Sequence, residues 1–283
     1  MRQRAEVEGR KPPSTRFWSS LFRNSGFRRS DFDEPEATLP ADPLRCEAPV
    51  LRFAEIAAVY TGERVAGDFY EFLRVGPSRM LFVLLDIAGL RADTREILIA
   101  VQKTFRILAP EFFAGEDFNE TIAMIELCCA LNRTILRTGL RSCPAFIGCY
   151  NEDLGTVCYA NAGHTPALLR DHSGITLLGA TGLPLGLFSH TTQSATACHL
   201  MPGSSLLAVS RGIVEADYFD AEHQNVEFGL HGVRQSFQDA TALGARELCL
   251  TVLQAAREFT PMTPTENDLT ALALVRNASD EAV

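Results

Sequence analysis

Two short stretches decide how this chain folds: Gly67-Asp68-Phe69-Tyr70-Glu71 and Leu81-Phe82-Val83-Leu84-Leu85-Asp86-Ile87-Ala88-Gly89. The second is an apolar run that stops abruptly on a carboxylate and a turn residue. Such a run reads as a buried strand that delivers Asp86 to the edge of a sheet. Gly76-Pro77-Ser78 lies between the two stretches and reads as a hairpin turn, which makes Asp68 the start of the neighbouring strand. A buried carboxylate is costly unless a cation or strong hydrogen bonds compensate it. Two acidic strand ends brought together suggest a hard divalent ion bound through oxygen.

Working outward, residues 50–60 read as a strand, Thr61-Gly62-Glu63-Arg64 as a turn, and 68–75 and 80–86 as the hairpin. The period then changes. Ile97, Leu98, Val101, Phe105 and Leu108 fall at helical spacing, predicting a helix over 94–108 that Pro110 closes. A second helix is predicted over 118–136, with Ile122, Ile125, Leu127, Leu131 and Ile135 on its apolar side. Strands resume at 145–151, 156–160, 167–170, 175–178, 194–200 and 205–210. Two helices follow at 228–239 and 244–259, and a closing strand at 269–275. This order is not the alternation of a parallel-sheet protein. It predicts an α+β fold, a sandwich of mainly antiparallel sheets flanked by helices.

With 283 residues, 46% of them hydrophobic, one domain of sizeable core plus a tail is expected. Residues 1–47 read as a basic then acidic arm and linker, 48–277 as the domain, and 278–283 as a tail. The net charge of −9 is unevenly placed: residues 1–30 carry +6, which leaves −15 for the remainder. An acidic body argues against nucleic acid as a ligand of the domain. The eight cysteines form no Cys-x-x-Cys pair and sit mostly in apolar patterns, so free thiols in a cytoplasmic setting are expected. No apolar run approaches the ~20 residues that span a bilayer, and the N-terminus lacks the apolar stretch of a secretory signal. Phe17-Trp18-Ser19-Ser20-Leu21-Phe22, flanked by Arg16 and Arg23, reads either as a disordered arm or as a membrane-surface or partner contact.

The ordered set of motifs resembles one family. Gly67 to Glu71, Asp86 to Gly89, Asn161-Ala162-Gly163-His164-Thr165-Pro166, Gly182-Leu183-Pro184-Leu185-Gly186, Pro202 to Leu206 and Asp268-Leu269-Thr270 occur in the order found in the SpoIIE-like branch of the PPM-type metal-dependent protein Ser/Thr phosphatases. The resemblance covers about residues 48–277. It implies an α-β-β-α sandwich with two Mn²⁺ or Mg²⁺ ions at one end. The ions would activate water for attack on a phosphoserine or phosphothreonine, and the substrate would be a phosphoprotein such as an anti-sigma-factor antagonist. It further implies metal ligation by Asp68, by Asp86 and by the backbone carbonyl of Ile87. It gives the loop around His164 a structural role, and the two central helices a role as a regulatory contact surface.

Two ligand positions depart from that pattern. The family's Thr-Asp-Gly is here Ser210-Arg211-Gly212, so a ligand Asp has become Arg211. The first Asp of the family's Asp-Asp-x-Thr is here Asn267, with Asp268 beside it. Asp268 would replace it only by a register slip, because adjacent strand residues face opposite sides. A guanidinium ~4 Å from a divalent ion is repelled by roughly 8 kcal/mol at an effective dielectric near 20. The expectation is therefore a degenerate two-metal site, in which the Arg211 guanidinium sits in the ligand position and pairs with Asp86 or Asp68. The function expected is that of a phosphatase-fold signalling protein, weakly active or inactive. The alternative is a non-catalytic pseudophosphatase that binds a phosphoprotein or partner.

Overall fold

The computed structural model describes residues 46–61, 67–87, 91–115, 118–139, 142–190, 192–219, 224–240, 244–260 and 268–278. The arm over 17–22, most of the linker, the turn at 62–64 and Asn267 lie outside the described residues.

Two antiparallel five-stranded sheets stack face to face. Sheet A has the order β1 (Ala54–Thr61), β12 (Leu269–Arg276), β9 (Ser205–Val209), β6 (Ala167–Asp171), β7 (Gly174–Leu178). Sheet B has the order β2 (Gly67–Arg74), β3 (Arg79–Ile87), β4 (Ala145–Asn151), β5 (Thr156–Ala162), β8 (Thr196–His199). Helices α1 (Arg91–Phe112) and α2 (Glu120–Arg137) belong to the layer outside sheet B. After β9 come a single helical turn, α3 (Arg211–Val214), and a short hairpin, β10 (Asp217–Phe219) with β11 (Asn225–Glu227). Helices α4 (Gly229–Asp239) and α5 (Ala245–Phe259) cover sheet A.

Alternation along each strand sorts the side chains into three layers. On β3, Met80, Phe82 and Leu84 enter the space between the sheets, where they meet Leu206, Ala208, Leu272 and Leu274 of sheet A. Leu81, Val83 and Leu85 face the other way, against Leu98, Val101 and Phe105 of α1 and Met124, Leu127 and Leu131 of α2. On the far side, Leu207, Val209, Ala271 and Ala273 pack on Val233 and Phe237 of α4 and on Leu248 and Val252 of α5. A strand buried on both faces reads as a continuous apolar run, which is why β3 lacks a polar–apolar alternation.

Three local expectations change. Pro110 lies inside the last turn of α1, which continues to Phe112. A proline there has no N–H to donate to the Arg106 carbonyl, a loss near a helix end that the chain tolerates better than one in mid-helix. Ile122 is exposed rather than buried, because the face of α2 that packs is Ala123, Met124, Leu127, Cys128, Leu131 and Ile135. The α3 turn and the β10–β11 hairpin are too short to leave a periodic signal. All eight cysteines are free. Among the described residues no helix is long and apolar enough to cross a membrane.

Candidate metal centre

Asp68 and Asp86 are direct cross-strand partners at the open end of the β2–β3 hairpin. They occupy the same face as Phe72, Phe82 and Leu84, so both carboxyl groups project into the space between the sheets at one end of the sandwich. Gly67 pairs with Ile87 in the same register, and a Cβ on Gly67 would lie 2.5 Å from the Ile87 carbonyl oxygen. Only a glycine lets β2 close on that carbonyl.

Asp68 is 4% exposed, and its Oδ2 accepts a 2.6 Å hydrogen bond from the Thr270 hydroxyl. Burial pushes its carboxyl up to about 7, the nearby Asp86 and Asp268 add to the rise, and the hydroxyls of Thr270 and Ser210 pull against it. Asp268 is itself buried and accepts a 2.6 Å bond from the Tyr60 hydroxyl. It precedes Thr270 by two residues on the face that continues into Leu272 and Leu274, so it belongs to the inner layer without any register slip. The expectation that a slip was needed is corrected accordingly.

Arg211 departs from expectation more sharply. Ser210 caps α3 in extended conformation, yet its hydroxyl makes no capping bond, because it accepts from the Thr270 N–H at 3.0 Å instead. The first N–H of a helical turn has no partner within the turn. Here the Arg211 N–H donates to Asp86 Oδ2 at 3.0 Å. The guanidinium itself is half exposed, with its Nε 3.8 Å from Asp86 Oδ2 and 3.6 Å from Glu215 Oε2. It therefore keeps the expected pairing with Asp86, at long range and without forking onto the carboxylate, and among the described residues it has no ion pair with Asp68. A guanidinium that keeps its water has no desolvation penalty to overcome, whereas a buried one must recover it through ideal geometry.

His164 completes the end of the sandwich. Asn161 Oδ1 accepts from the His164 N–H at 2.8 Å, and Gly163, at φ +67°, brings its Cα against Pro184 where a Cβ would stand 2.5 Å from the proline ring. These contacts fix the loop on the 182–186 segment. The His164 ring is buried, and burial lowers its pKa against an opposing pull from Asp86. Its Nε2 is buried without a hydrogen-bond partner. His172, His190, His199 and His231 are exposed, and His223 lies outside the described residues.

The donor set accommodates a cation at Asp68 and Asp86. Two buried carboxyls face each other, one of them held at a raised pKa, and a positive charge between them relieves both the burial and the repulsion. Among the described residues no three His, Cys, Asp or Glu side chains form a metal-holding group. Thr270, Ser210 and Tyr60 are neighbours of the aspartates; Thr270 and Ser210 stand in the quoted motifs, but none of the three was given a role at the site. For Thr270 the signal was available: it stands two residues beyond Asp268, on the same face of a strand.

An α-β-β-α sandwich with an aspartate pair at one end of the hairpin defines the PPM-type phosphatase fold. The chain belongs to the stage II sporulation protein E (SpoIIE) family, whose model matches residues 76–277. It is similar to Protein IcfG of Synechocystis sp., at 22% identity over 198 residues, which is 61% of this chain and 31% of that protein. The chain thus spans about a third of the curated relative it matches. Among solved structures it is similar to the RsbU and RsbW domains of Rv1364c from Mycobacterium tuberculosis, with a TM-score of 0.65 and 22% identity, covering 81% of this chain and 63% of that one. It is similar also to RsbX in complex with magnesium, with a TM-score of 0.57 and 14% identity, covering 82% of this chain and 99% of that one.

Proposed function

We propose that this protein is a SpoIIE-type phosphatase-fold regulator whose two-metal site is degenerate, so that phosphoester turnover is slow or absent and recognition of a phosphoprotein is its main task. The observation that carries this reading is the Arg211 side chain, its Nε 3.8 Å from Asp86 Oδ2, at a position where the family pattern has a carboxylate. The Arg211 N–H takes up a lone pair on the central aspartate, and the half-exposed guanidinium adds positive charge at its rim.

A divalent ion held on Asp68 and Asp86, with the Ile87 carbonyl beside them, would supply Lewis-acid activation of water and charge stabilisation on phosphoryl oxygens. RsbX binds magnesium in its crystal structure, which favours Mg²⁺ or Mn²⁺ as the ion here. The chain's own groups act around that point. Thr270 and Ser210 hold the Asp68 carboxyl in place, Tyr60 orients Asp268, and the Arg211 N–H orients Asp86. Asn267 and Asp268 are the remaining oxygen donors proposed for the site.

The partner proposed is a phosphoprotein of the anti-sigma-factor-antagonist kind, an assignment that the RsbU–RsbW pairing in the Mycobacterium protein supports. The basic arm would add a second contact, with the partner or a membrane surface. Eight free thiols favour the cytoplasm.

The test pairs calorimetry with turnover. Mn²⁺ binding and hydrolysis of an aryl phosphate and a phosphopeptide are measured for the natural chain and for the double variant Arg211→Asp, Asn267→Asp. Activity and a second bound Mn²⁺ are expected in the double variant. Two bound Mn²⁺ ions and robust turnover in the natural chain would refute the degenerate site.

A further inference from the structure

Strand β1 is an unprotected edge of sheet A. It pairs with β12 without a bulge, from Ala54 opposite Arg276 to Thr61 opposite Leu269, and among the described residues no strand pairs with its other side. The Asn277 N–H bonds the Phe53 carbonyl, and antiparallel pairing alternates along a strand. Odd-numbered residues therefore serve β12, and the backbone groups of Ile56, Ala58 and Tyr60 point outward. Sheets guard such an edge with lysine, proline or a bulge, because it is a template for another strand. None of these guards is present on β1, and its single charge, Glu55, accepts from the Ala245 N–H of α5. Residues 57–61 are all partly exposed.

A groove follows this edge between β1 and α5. The Cys249 thiol lies against the Ala57 carbonyl as Glu55 lies against Ala245, so strand and helix run in the same direction. Towards Thr61 the groove holds about 450 Å³ and is lined by Val59, Leu250 and Leu253, with Arg257. A second hollow of about 290 Å³, lined by Ala57, Ala245 and Arg246, lies along the same strand towards Ala54. Leu250 is 44% exposed at this seam. Glu55 is the only carboxylate lining either hollow, and it is already engaged. Arg246 and Arg257 are exposed and have no ion pair among the described residues. About three helical turns separate them, which puts them on one face of α5 roughly 16 Å apart. Acids four residues apart on an extended chain face one side at ~14 Å, a spacing that arginine side chains reach.

We infer that the free edge of β1 and the adjoining face of α5 form a docking groove for an extended acidic segment of a partner protein, which joins sheet A beside β1 as a further strand. Backbone bonds to the outward groups of β1 supply the affinity, and the two arginines supply the preference for acids. A second copy of the chain is the wrong occupant, because antiparallel pairing of β1 with itself sets one copy's Arg246 beside the other's Arg257. The chain's own acidic stretch 31–44 carries Pro35, Pro40 and Pro43, which cannot donate to a ladder. Tyr60 belongs to this strand and its hydroxyl holds Asp268, so the docked segment is seated beside the metal end of the sandwich.

Fluorescence anisotropy on the full chain tests the groove with a labelled ten-residue peptide of alternating valine and threonine, two threonines four positions apart being replaced by aspartate. Binding is expected, about tenfold tighter than for the same peptide with two lysines. Methylation of alternate backbone nitrogens of the peptide should abolish it. Ala58→Pro should abolish it too, since that N–H points away from β12 and its loss spares the existing ladder. The double variant Arg246→Glu, Arg257→Glu should reverse the preference in favour of the lysine peptide, a gain that a misfolded protein cannot give. Equal binding of the two peptides, binding that survives backbone methylation, or no binding at all overturns the inference. So does a dimer that Ala58→Pro dissociates, which would assign the edge to a second copy. Binding that appears only when the acids of 31–44 are neutralised would assign it to the chain's own linker. Docking here needs neither metal nor turnover, so its failure leaves the reading of the metal site untouched.

Discussion

Asp68 and Glu71 lie three residues apart on β2, both buried, and they have opposite fates. Glu71 faces the helical layer and is saturated. Arg106 forks onto it with two hydrogen bonds of 3.1 Å, Gln102 donates at 2.6 Å, and the Cys46 thiol donates at 2.7 Å. Asp68 faces the space between the sheets, opposite another carboxylate, with the Thr270 hydroxyl as its short partner. A charge surrounded by donors is a rivet that pins α1 and residue 46 to the sheet. A charge set beside other charges, and left short of donors, holds its free energy in reserve for a ligand.

The largest effect should come from the rivet. Glu71→Ala strands Arg106 against the sheet, and because that guanidinium is 35% exposed the loss is about 2–4 kcal/mol rather than the full value for a sealed pair. Urea unfolding would show it, and a loss under about 1 kcal/mol would break the contrast between the two acids. Asp68→Asn should act in the opposite sense, stabilising the metal-free protein by about 1–3 kcal/mol at pH 7.5.

The sign of that second effect follows from linkage. The folded carboxyl titrates at about 7, above the ordinary value near 4, so the folded state binds more protons between those limits. Its contribution to stability is therefore intact below pH 4 and is lost as pH rises towards 7. The gap in melting temperature between Asp68→Asn and the natural chain should widen over that window, and a flat gap would contradict the raised carboxyl. Thr270→Val, which removes the hydroxyl from Asp68, should lose about 1–2 kcal/mol and push the carboxyl further up, measurable as a shifted titration midpoint. Cys46→Ala should be the mildest change, about 0.5–1 kcal/mol, since a thiol is a weak donor and burial followed by Glu71 already holds it protonated, up to about 12. Rapid alkylation of Cys46 at pH 8 would show that this bond is not maintained.

Most of the sandwich was legible because its strands and helices carry strong periods. The apolar run into Asp86, the hairpin turn at 76–78 and the alternation on β2 together place the two aspartates face to face. Asp268 was misjudged for a definite reason. Adjacent strand residues face opposite sides, which suggested a slip for Asp268, while the pleat puts it on the inner face by counting back from Leu272 and Leu274. The exposed side chain of Ile122 shows the same limit on a helix, where an apolar stripe inferred from spacing turned out to be offset from the face that packs.

Residue type and order along the chain were enough to establish a helix-flanked sandwich and two aspartates at a hairpin's open end, since both follow from local period and turn chemistry; that Arg211 departs from the family pattern came from the resemblance alone. Which way Arg211 points, and which imidazole nitrogen is left bare, depended on groups far apart in the chain. The hydroxyls of Ser210 and Thr270 had first to be engaged by other strands before the Arg211 N–H was left to face Asp86, and the Thr165 hydroxyl had to be engaged by the Val209 carbonyl before His164 Nε2 was left without a partner. Hydrogen bonds between distant residues are settled only when the whole sandwich closes, because each donor can serve one partner and the competition among partners is tertiary.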